Sequence, residues 1–534
     1  MKRRDFIKLS SSAGIAGMAG RGFKSFAAAD EGKPEGFDLH PFIREHPEAV
    51  FICLTSVKEK TDAKAIYDAA FRLSDEIFVN TSPGTGYPIS TKIVCKPNWT
   101  AKRIDPADPT SHLGITTDNN FIEGFLNGVK AKGADDIYLR EAAAPSMWEA
   151  NGYTSLCEKN NFNLKNLSSK DFWDLGDEII FKKVDGTVFK EVGFLSPVNA
   201  PDTFLINLAK FKSHSMGITG AIKNLQGATG RRFHQFCGGY RDVFKSYDKR
   251  YFPFFQPDYL ERVAELQQKH VEAGIPRWDT VIDSPPFRGG GGGFYMEHWV
   301  QRMLDAFSVT PTGINIVEGI YGRDGDGFAA GPHDGKAKDY MSNNIIFGKD
   351  AFRVDIIMHW LAGHEPGNFG LFHIGIERGL SDVLDPFDIP VYLWENGTAR
   401  KVNLDTLKRT PLLTPYLRRN TRGDDEERYH MVDEPFDYKS WKSTGNIVRH
   451  ESEIKVIGTD SDNNIVMDMK VPEKGDVFVD ILNSNGEVVW SMYADDLEPG
   501  VHQVVWDGFS SPGLYTTYVK GMKWDAKNEM VIYT

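Results

Sequence analysis

Short apolar runs alternate with helical patterns near the start of this chain, and the alternation limits the folds open to it. Ala49–Thr55, Lys92–Cys95 and Asp136–Arg140 are short runs rich in aliphatic residues, which predicts buried strands. Asp62–Ile77 and Thr117–Lys132, which lie between them, repeat apolar residues at the spacing of an amphipathic helix. Strands and helices joined by short loops are typical of right-handed βαβ units. The pattern therefore predicts an α/β fold with a mostly parallel open sheet and helices on both faces.

The chain divides into segments of different composition. The strand and helix alternation continues to about residue 400, so residues 45–400 are assigned to the α/β domain. Residues 401–450 are polar and dense in charge, which predicts a linker or an appended segment. Beyond them, short strands alternate with turn residues and show no helical periodicity. Residues 451–534 are therefore predicted to form a small all-β immunoglobulin-like sandwich.

The N-terminal residues indicate export. Lys2–Lys8 (KRRDFIK) places two arginines before an aromatic and an aliphatic residue, and Leu9–Gly20 is weakly apolar and rich in glycine and alanine. Ala27–Ala29 offers the small residues that a signal peptidase requires. Residues 1–29 resemble a twin-arginine signal peptide, which implies a protein of the periplasm or cell surface. The alternative is a disordered basic tail on a cytosolic protein.

The composition of the chain argues against two kinds of partner, nucleic acids and a membrane that the chain would span. The chain has 534 residues and a formal net charge of −12, and it contains no basic tract, so we expect no nucleic-acid partner. No run beyond the signal approaches the roughly 18 apolar residues of a membrane span, so no transmembrane segment is expected. The four cysteines are too few and too scattered for a disulfide scaffold or a cysteine-ligated cluster.

Polar and ionisable side chains follow three predicted strands of the α/β domain. In an open parallel sheet, the carboxyl ends of the strands meet at one edge, where ligands bind. A helix entered through glycine, predicted within Gly217–Gly227, would add free N–H groups and a partial positive charge that favour an anion. The catalytic candidates are His214, Lys212 and Lys223. The substrate-binding candidates are Lys96, Asn98, Glu141, Lys210, Thr219 and Asn224.

These residue types suit the binding of a carboxylate or a phosphate. His214 is a candidate general acid or base, and Lys212 or Lys223 is a candidate anion clamp or covalent anchor. The alternative is that these side chains are solvated loop charges. An acidic protein that gathers cations at one strand end favours the functional interpretation. The sequence predicts no metal site and identifies no cofactor.

Several of these segments resemble the domain of unknown function 362 family, over roughly residues 50–385. The resemblance is carried by Lys96–Asn98, Lys210–Gly227, Val317–Ile320 with Gly331-Pro332, and Gly348–Asp355 followed by Leu361–Gly363. Family members often carry a ferredoxin-like iron–sulfur module, whose Cys-x2-Cys-x2-Cys run this sequence lacks. The family is distantly similar to the lactate racemase superfamily, which uses lysine and histidine around a bound cofactor. The resemblance implies a ligand site without specifying a reaction.

The C-terminal segment has a resemblance of its own. Asp480–Val489 predicts a hairpin with an Asn-Gly turn, and Gly500–Gly508 and Gly513–Tyr515 continue the pattern. These strands resemble the immunoglobulin-like module of flagellar hook-capping proteins and of type IX secretion sorting domains. The resemblance implies a structural or docking module with an envelope partner.

Two functional hypotheses follow, and the sequence leaves open whether the protein is an enzyme. The first is an exported enzyme that binds a small anionic substrate or cofactor in a crevice lined by lysine and histidine at the strand carboxyl ends. The second is a non-catalytic ligand-binding or envelope assembly protein, docked through the C-terminal β-sandwich. A third, electron transfer, has only the family resemblance behind it and lacks the cysteines.

Overall fold

The structure is a computed structural model, and it describes most of the chain beyond the predicted signal peptide, which lies outside the described residues. The described residues are 35–82, 84–100, 110–143, 145–167, 174–214, 217–230, 253–273, 275–276, 292–325, 331, 336–414, 435–444, 454–461, 464–472, 474–484, 488–507, 513–520 and 525–532.

The described helices and strands follow the alternation that the sequence predicts. The helices are α1 (Pro41–Glu45), α2 (Ala63–Ile77), α3 (Asn119–Ala131), α4 (Tyr153–Asn160), α5 (Ala221–Asn224), α6 (Tyr259–Glu272), α7 (Gly292–Ser308), α8 (Ala351–Leu361), α9 (Gly370–Glu377) and α10 (Tyr438–Thr444). The strands before residue 220 are β1 (Gly36–Leu39), β2 (Val50–Leu54), β3 (Phe78–Thr81), β4 (Tyr87–Pro88), β5 (Lys92–Pro97), β6 (Ile137–Leu139), β7 (Asn163–Leu164), β8 (Ile179–Lys183), β9 (Glu191–Leu195), β10 (Thr203–His214) and β11 (Gly217–Thr219). The later strands are β12 (Ile314–Arg323), β13 (Asp339–Gly348), β14 (Val391–Glu395), β15 (Thr398–Lys401), β16 (Ile454–Thr459), β17 (Ile465–Val471), β18 (Gly475–Leu482), β19 (Val488–Leu497), β20 (Gly500–Trp506), β21 (Gly513–Lys520) and β22 (Asp525–Ile532).

A large sheet organises the α/β region, with strand order β15-β14-β2-β13-β12-β10-β5-β6-β7 and β11 paired to β10. The run β12-β10-β5-β6-β7 is parallel throughout, whereas β13 is antiparallel to both of its neighbours. This confirms the predicted α/β fold with a mostly parallel sheet. The parallel run matters most for function because its strands all end at the same edge.

Alternating side chains of the strands place helices on both faces of this sheet. In β2, Val50 and Ile52 belong to the apolar core that α8 and α9 cover, whereas Phe51 belongs to the core covered by α2 and α3. The side-chain period of two in a strand produces this division. Local capping fixes where α2 begins, because the Asp62 carboxylate accepts the N–H of Ala65 at 3.0 Å.

Two antiparallel sheets form the C-terminal region, as the sequence predicts for a small all-β module. One has the order β16-β17-β20 and the other β19-β18-β21-β22. Met467, Val479 and Trp506 are buried between them in a core that these strands supply. The likeness to an immunoglobulin-like module stays a prediction.

Part of the segment predicted as a linker packs against the α/β core. Leu404 and Leu412 are buried in the core that α8 and α9 cover, and Phe436 and Trp441 pack against it. The division into domains at residues 400 and 450 stays a prediction. Among the described residues, none of the helices has the length and apolarity that crossing a membrane would require.

Candidate functional site

Neighbouring parallel strands bring the first predicted site residues together. Lys96 lies near the end of β5, and Glu141 follows the end of β6. The Lys96 ammonium donates to Oε2 of Glu141 at 2.8 Å, and the two side chains are 1% and 2% exposed. The carboxylate also accepts the backbone N–H groups of Trp99 at 3.1 Å and Ala143 at 2.9 Å. Burial lowers the pKa of Lys96, and Glu141 opposes that effect by favouring the charged form.

Asn224 joins this ion pair to α5. Its Oδ1 accepts from Lys96 Nζ at 3.2 Å and from Asn98 Nδ2 at 3.1 Å. Its Nδ2 donates to the Lys96 carbonyl and to Asn207 Oδ1, both at 2.8 Å. These four hydrogen bonds use the full capacity of a side-chain amide. Asn98 and Asn224, predicted as substrate ligands, therefore hold α5 against β5 and β10 in this structure.

A glycine allows the chain after α5 to approach the ion pair. A Cβ atom on Gly227 would lie 2.4 Å from Oε1 of Glu141 and 2.6 Å from Cε of Lys96. The Gly227 carbonyl also accepts the N–H of Ala142 at 2.8 Å. Position 227 therefore needs a residue without a side chain if both contacts are to form.

Lys210 is directed to the other face of the sheet. It continues the alternation of Leu208 toward α2 and α3, and its Nζ lies 2.5 Å from Oε2 of Glu318 and 3.4 Å from the centroid of the Tyr321 ring. The Tyr321 hydroxyl donates to Asp118 Oδ2 at 2.7 Å. Burial raises the pKa of Glu318, and Asp118 adds to that effect. The structure therefore places Lys210 in an ion pair apart from the Lys96 network.

Strand β10 continues through Lys212 and His214, although the apolar run Phe204–Leu208 predicts a strand that ends before them. The strand extends because it pairs with β11 on one side and with β12 as far as Arg323 on the other. Thr219 lies directly opposite Lys212 in the β10–β11 pair, so the two side chains share one face of that ribbon. Lys212 Nζ donates to Thr100 Oγ1 at 3.1 Å.

The hydroxyl of Thr219 has no hydrogen-bond partner within the part of the chain that the structure describes, although its side chain is fully buried. Buried hydroxyl groups ordinarily have a partner.

His214 and Lys223 meet at the indole ring of Trp299. The His214 ring is edge-on to Trp299 with centroids 5.4 Å apart, and Lys223 Nζ lies 5.5 Å from the centroid of the indole. Burial lowers the pKa of His214 well below its usual value, and the charges of Lys223 and Lys212 lower it further. Burial and the two ammonium groups therefore favour the neutral form of the His214 ring.

Asp355 on α8 fixes the start of α5. Its Oδ1 accepts the N–H of Ala221 at 2.6 Å, and its Oδ2 accepts that of Ile222 at 3.0 Å. Burial raises the pKa of Asp355 to about 7, although both hydrogen bonds oppose the change. His359, one turn later, accepts the N–H of Ile218 at 3.2 Å. One helix thus anchors both the strand and the helix that carry Thr219 and Lys223.

Two residues of the site, Glu318 and Trp299, are not among the candidates that the sequence predicts. Glu318 directly follows the apolar run Ile314–Val317, which predicts a strand, so the strand-end rule that identified Glu141 could also have identified it. Trp299 lies in Glu297–Phe307, whose spacing predicts a helix, and nothing in its local sequence shows that its ring lies against His214.

The described thiols lie in the core. Cys53, Cys95 and Cys157 are free and buried, and burial raises the pKa of Cys53 to about 11. Within the described ranges, no group of three or more His, Cys, Asp and Glu side chains is arranged to hold a metal ion.

Comparison with known proteins connects this site to a family. No curated protein matches the chain. A family model described as a domain of unknown function (DUF362) matches residues 93–359, which are half of the chain. The matched range contains Lys96, Glu141, the β10–α5 region and Asp355. The chain therefore belongs to the domain of unknown function 362 family.

Proposed function

We propose that the protein is an exported enzyme that binds a small anionic substrate or cofactor at the carboxyl edge of the large sheet. Lys212 and Lys223 bind the anion, and His214 acts as the general acid or base. The observation that carries the proposal is the convergence of these three side chains in a buried place, where both ammonium groups act on the His214 ring.

The lysines of this edge differ in what balances their charge. Lys96 is paired with Glu141 and Lys210 with Glu318, so these two lysines support the structure. Lys223 is 7% exposed and forms no ion pair with any residue that the structure describes. A buried ammonium group without a carboxylate carries a desolvation cost that a bound anion would offset. Lys223 is therefore the stronger of the two anion-binding candidates.

The proton chemistry follows from the state of His214. Because its pKa is lowered, the imidazole is held in its neutral form, and a bound anion that offsets the two ammonium charges would favour its protonation. The two lysines that lower this pKa would also stabilise negative charge that develops on the ligand. The general base and the groups that stabilise negative charge thus belong to one cluster, His214 with Lys212 and Lys223.

Replacing Lys223 by methionine tests the anion site. We expect Lys223→Met to weaken binding of inorganic phosphate by about tenfold or more, because a charge-assisted hydrogen bond is lost while the side-chain volume is kept. Isothermal titration calorimetry at low ionic strength gives the dissociation constants. The control is Lys64→Met, which removes an exposed lysine of α2 that pairs with Asp68. Equal affinities of wild type and Lys223→Met would contradict the assignment of Lys223.

Native mass spectrometry of protein from its own envelope fraction tests the identity of the ligand. An excess mass that disappears on denaturation would identify a bound substrate or cofactor. An excess that persists and maps to Lys212 or Lys223 would identify a covalent anchor. A bare chain mass would favour a non-catalytic ligand-binding protein.

One observation favours the second function, a non-catalytic ligand-binding or assembly protein docked through its C-terminal β-sandwich. The C-terminal sheets bury a core of their own, including Val479 and Trp506, as a separate docking module would. Deleting residues 451–534 tests it: release of the protein from the envelope with phosphate affinity unchanged would support docking, and retention would oppose it.

A further inference from the structure

A segment beyond the matched family region packs against the candidate site. Residues 409–414 alternate in burial, with Thr410, Leu412 and Thr414 inward. The N–H of Thr410 donates to the Leu361 carbonyl at 2.7 Å, and that of Leu412 to the Ala362 carbonyl at 3.0 Å. We call residues 409–414 the strap. These bonds tie its first half to the end of α8.

The second half of the strap reaches the ends of β10 and β12. The Leu413 carbonyl accepts the N–H of Gly325 at 2.7 Å, just after β12. The Thr414 hydroxyl lies 2.6 Å from the carbonyl oxygen of His214 and 3.0 Å from that of Gly217. These two carbonyls belong to the paired residues at the end of β10 and the start of β11. A single hydroxyl, fully buried, thus contacts both strands.

We propose that Thr414 is a positioning residue for the anion site: its hydroxyl holds the end of β10 against the start of β11 and thereby fixes the side chains of Lys212 and His214. The inference rests on the proposed function for the use of that site, but the contacts that carry it are independent of any ligand. The hydroxyl of Thr414 contacts the backbone carbonyls of His214 and Gly217, so it acts through the backbone that carries the site residues.

The geometry explains why a hydroxyl is needed at this position. Lys212 and His214 project from the last three residues of β10, where the neighbouring strand β11 is only three residues long. Among the described strands, β12 pairs with β10 as far as Lys212, opposite Arg323, and beyond that point β11 alone pairs with the end of β10. Valine would have nearly the same shape as Thr414 but could not donate to either carbonyl. The structure therefore assigns to the Thr414 hydroxyl the fixed position of the end of β10 at His214.

The test compares Thr414→Val with Thr414→Ser in the full-length mature protein. Nuclear magnetic resonance of protein labelled at histidine Cε1 follows the His214 ring, whose signal is identified by its loss in His214→Gln. We expect Thr414→Val to shift this signal and to move its titration midpoint toward the ordinary histidine value, because a loosened end of β10 admits water. The binding of inorganic phosphate should weaken by about tenfold. Thr414→Ser, which keeps the hydroxyl, should behave as wild type.

A matched control lies in the same strap. Thr410→Val removes another buried threonine hydroxyl, which makes no hydrogen bond to either His214 or Gly217, and it should leave the His214 signal unchanged. Thr414→Ala repeats the test without a β-branched side chain should the valine variant fold poorly. An unchanged His214 signal and titration in both hydroxyl-free variants would overturn the positioning role.

The two proposals fail in different ways. A shifted His214 signal in Thr414→Val, with no phosphate binding by the wild type, would support the positioning role and contradict the anion site. Phosphate binding that is equal in wild type and Thr414→Val, with an unchanged His214 signal, would support the anion site and overturn the role of Thr414.

Discussion

Replacing Glu141 by glutamine is expected to destabilise the α/β region by about 3–5 kcal/mol, the cost typical of removing one partner from a buried ion pair. The change leaves the Lys96 ammonium, 1% exposed, beside a neutral amide. It also replaces one of the two carboxylate oxygens that accept the backbone N–H groups of Trp99 and Ala143 by an amide nitrogen, so one of these N–H groups loses its acceptor. Urea denaturation followed by far-ultraviolet circular dichroism measures the difference in the free energy of unfolding.

A second substitution separates the buried charge from the loss of hydrogen bonds. In Lys96→Met/Glu141→Gln the unpaired ammonium is gone, so most of the lost stability should return. The control is Asp68→Asn, which breaks an exposed pair with Lys64 on α2 and should leave the denaturation midpoint unchanged. A double variant no more stable than Glu141→Gln would show that the buried charge is not the cause.

The sequence predicts the scaffold of the site better than its chemistry. Strand and helix periods locate β5 and β6, and the rule that parallel strands end at one edge brings Lys96 to Glu141. Periodicity cannot show that Lys96 and Glu141 neutralise each other, because ion pairing depends on side-chain direction. The same limit applies to Lys210, whose partner Glu318 lies 108 residues later in the chain.

The boundary of β10 shows a second limit. Lys210–His214 is polar enough to suggest a loop, but in the structure it is strand, buried on both sides. Pairing with β11 and β12 overrides local propensity there, and neither pairing is visible in a single sequence. The strap is similar: residues 409–414 lie in a charge-dense stretch, and only the alternating burial of Thr410, Leu412 and Thr414 shows that they pack.

Asp355 makes the attachment of α5 sensitive to pH. Its pKa is about 7 in the folded protein and near 3.8 when the chain is unfolded, so the folded state binds one more proton between these values. The free energy of unfolding should therefore fall as the pH rises from about 4 to about 7, with a slope near 1.4 kcal/mol per pH unit for this group. Over that window the contribution amounts to roughly 3–4 kcal/mol.

Asp355→Asn removes this titration, and we expect it to remove the corresponding part of the pH dependence. At about pH 5 the variant should be less stable than wild type by about 1–3 kcal/mol, because an amide offers one oxygen where the side chain now meets two N–H groups. At about pH 8 the difference should shrink, since the wild type then has an ionised carboxylate in the core.

Urea denaturation of both proteins across this range, with hydrogen exchange of the peptide spanning residues 217–228, measures the global and local effects. Asp68→Asn, which removes an exposed carboxylate of α2, is the control for a general change in charge. If wild type and Asp355→Asn lost stability in parallel from pH 5 to pH 8, the carboxylate that anchors α5 would not be the group that titrates.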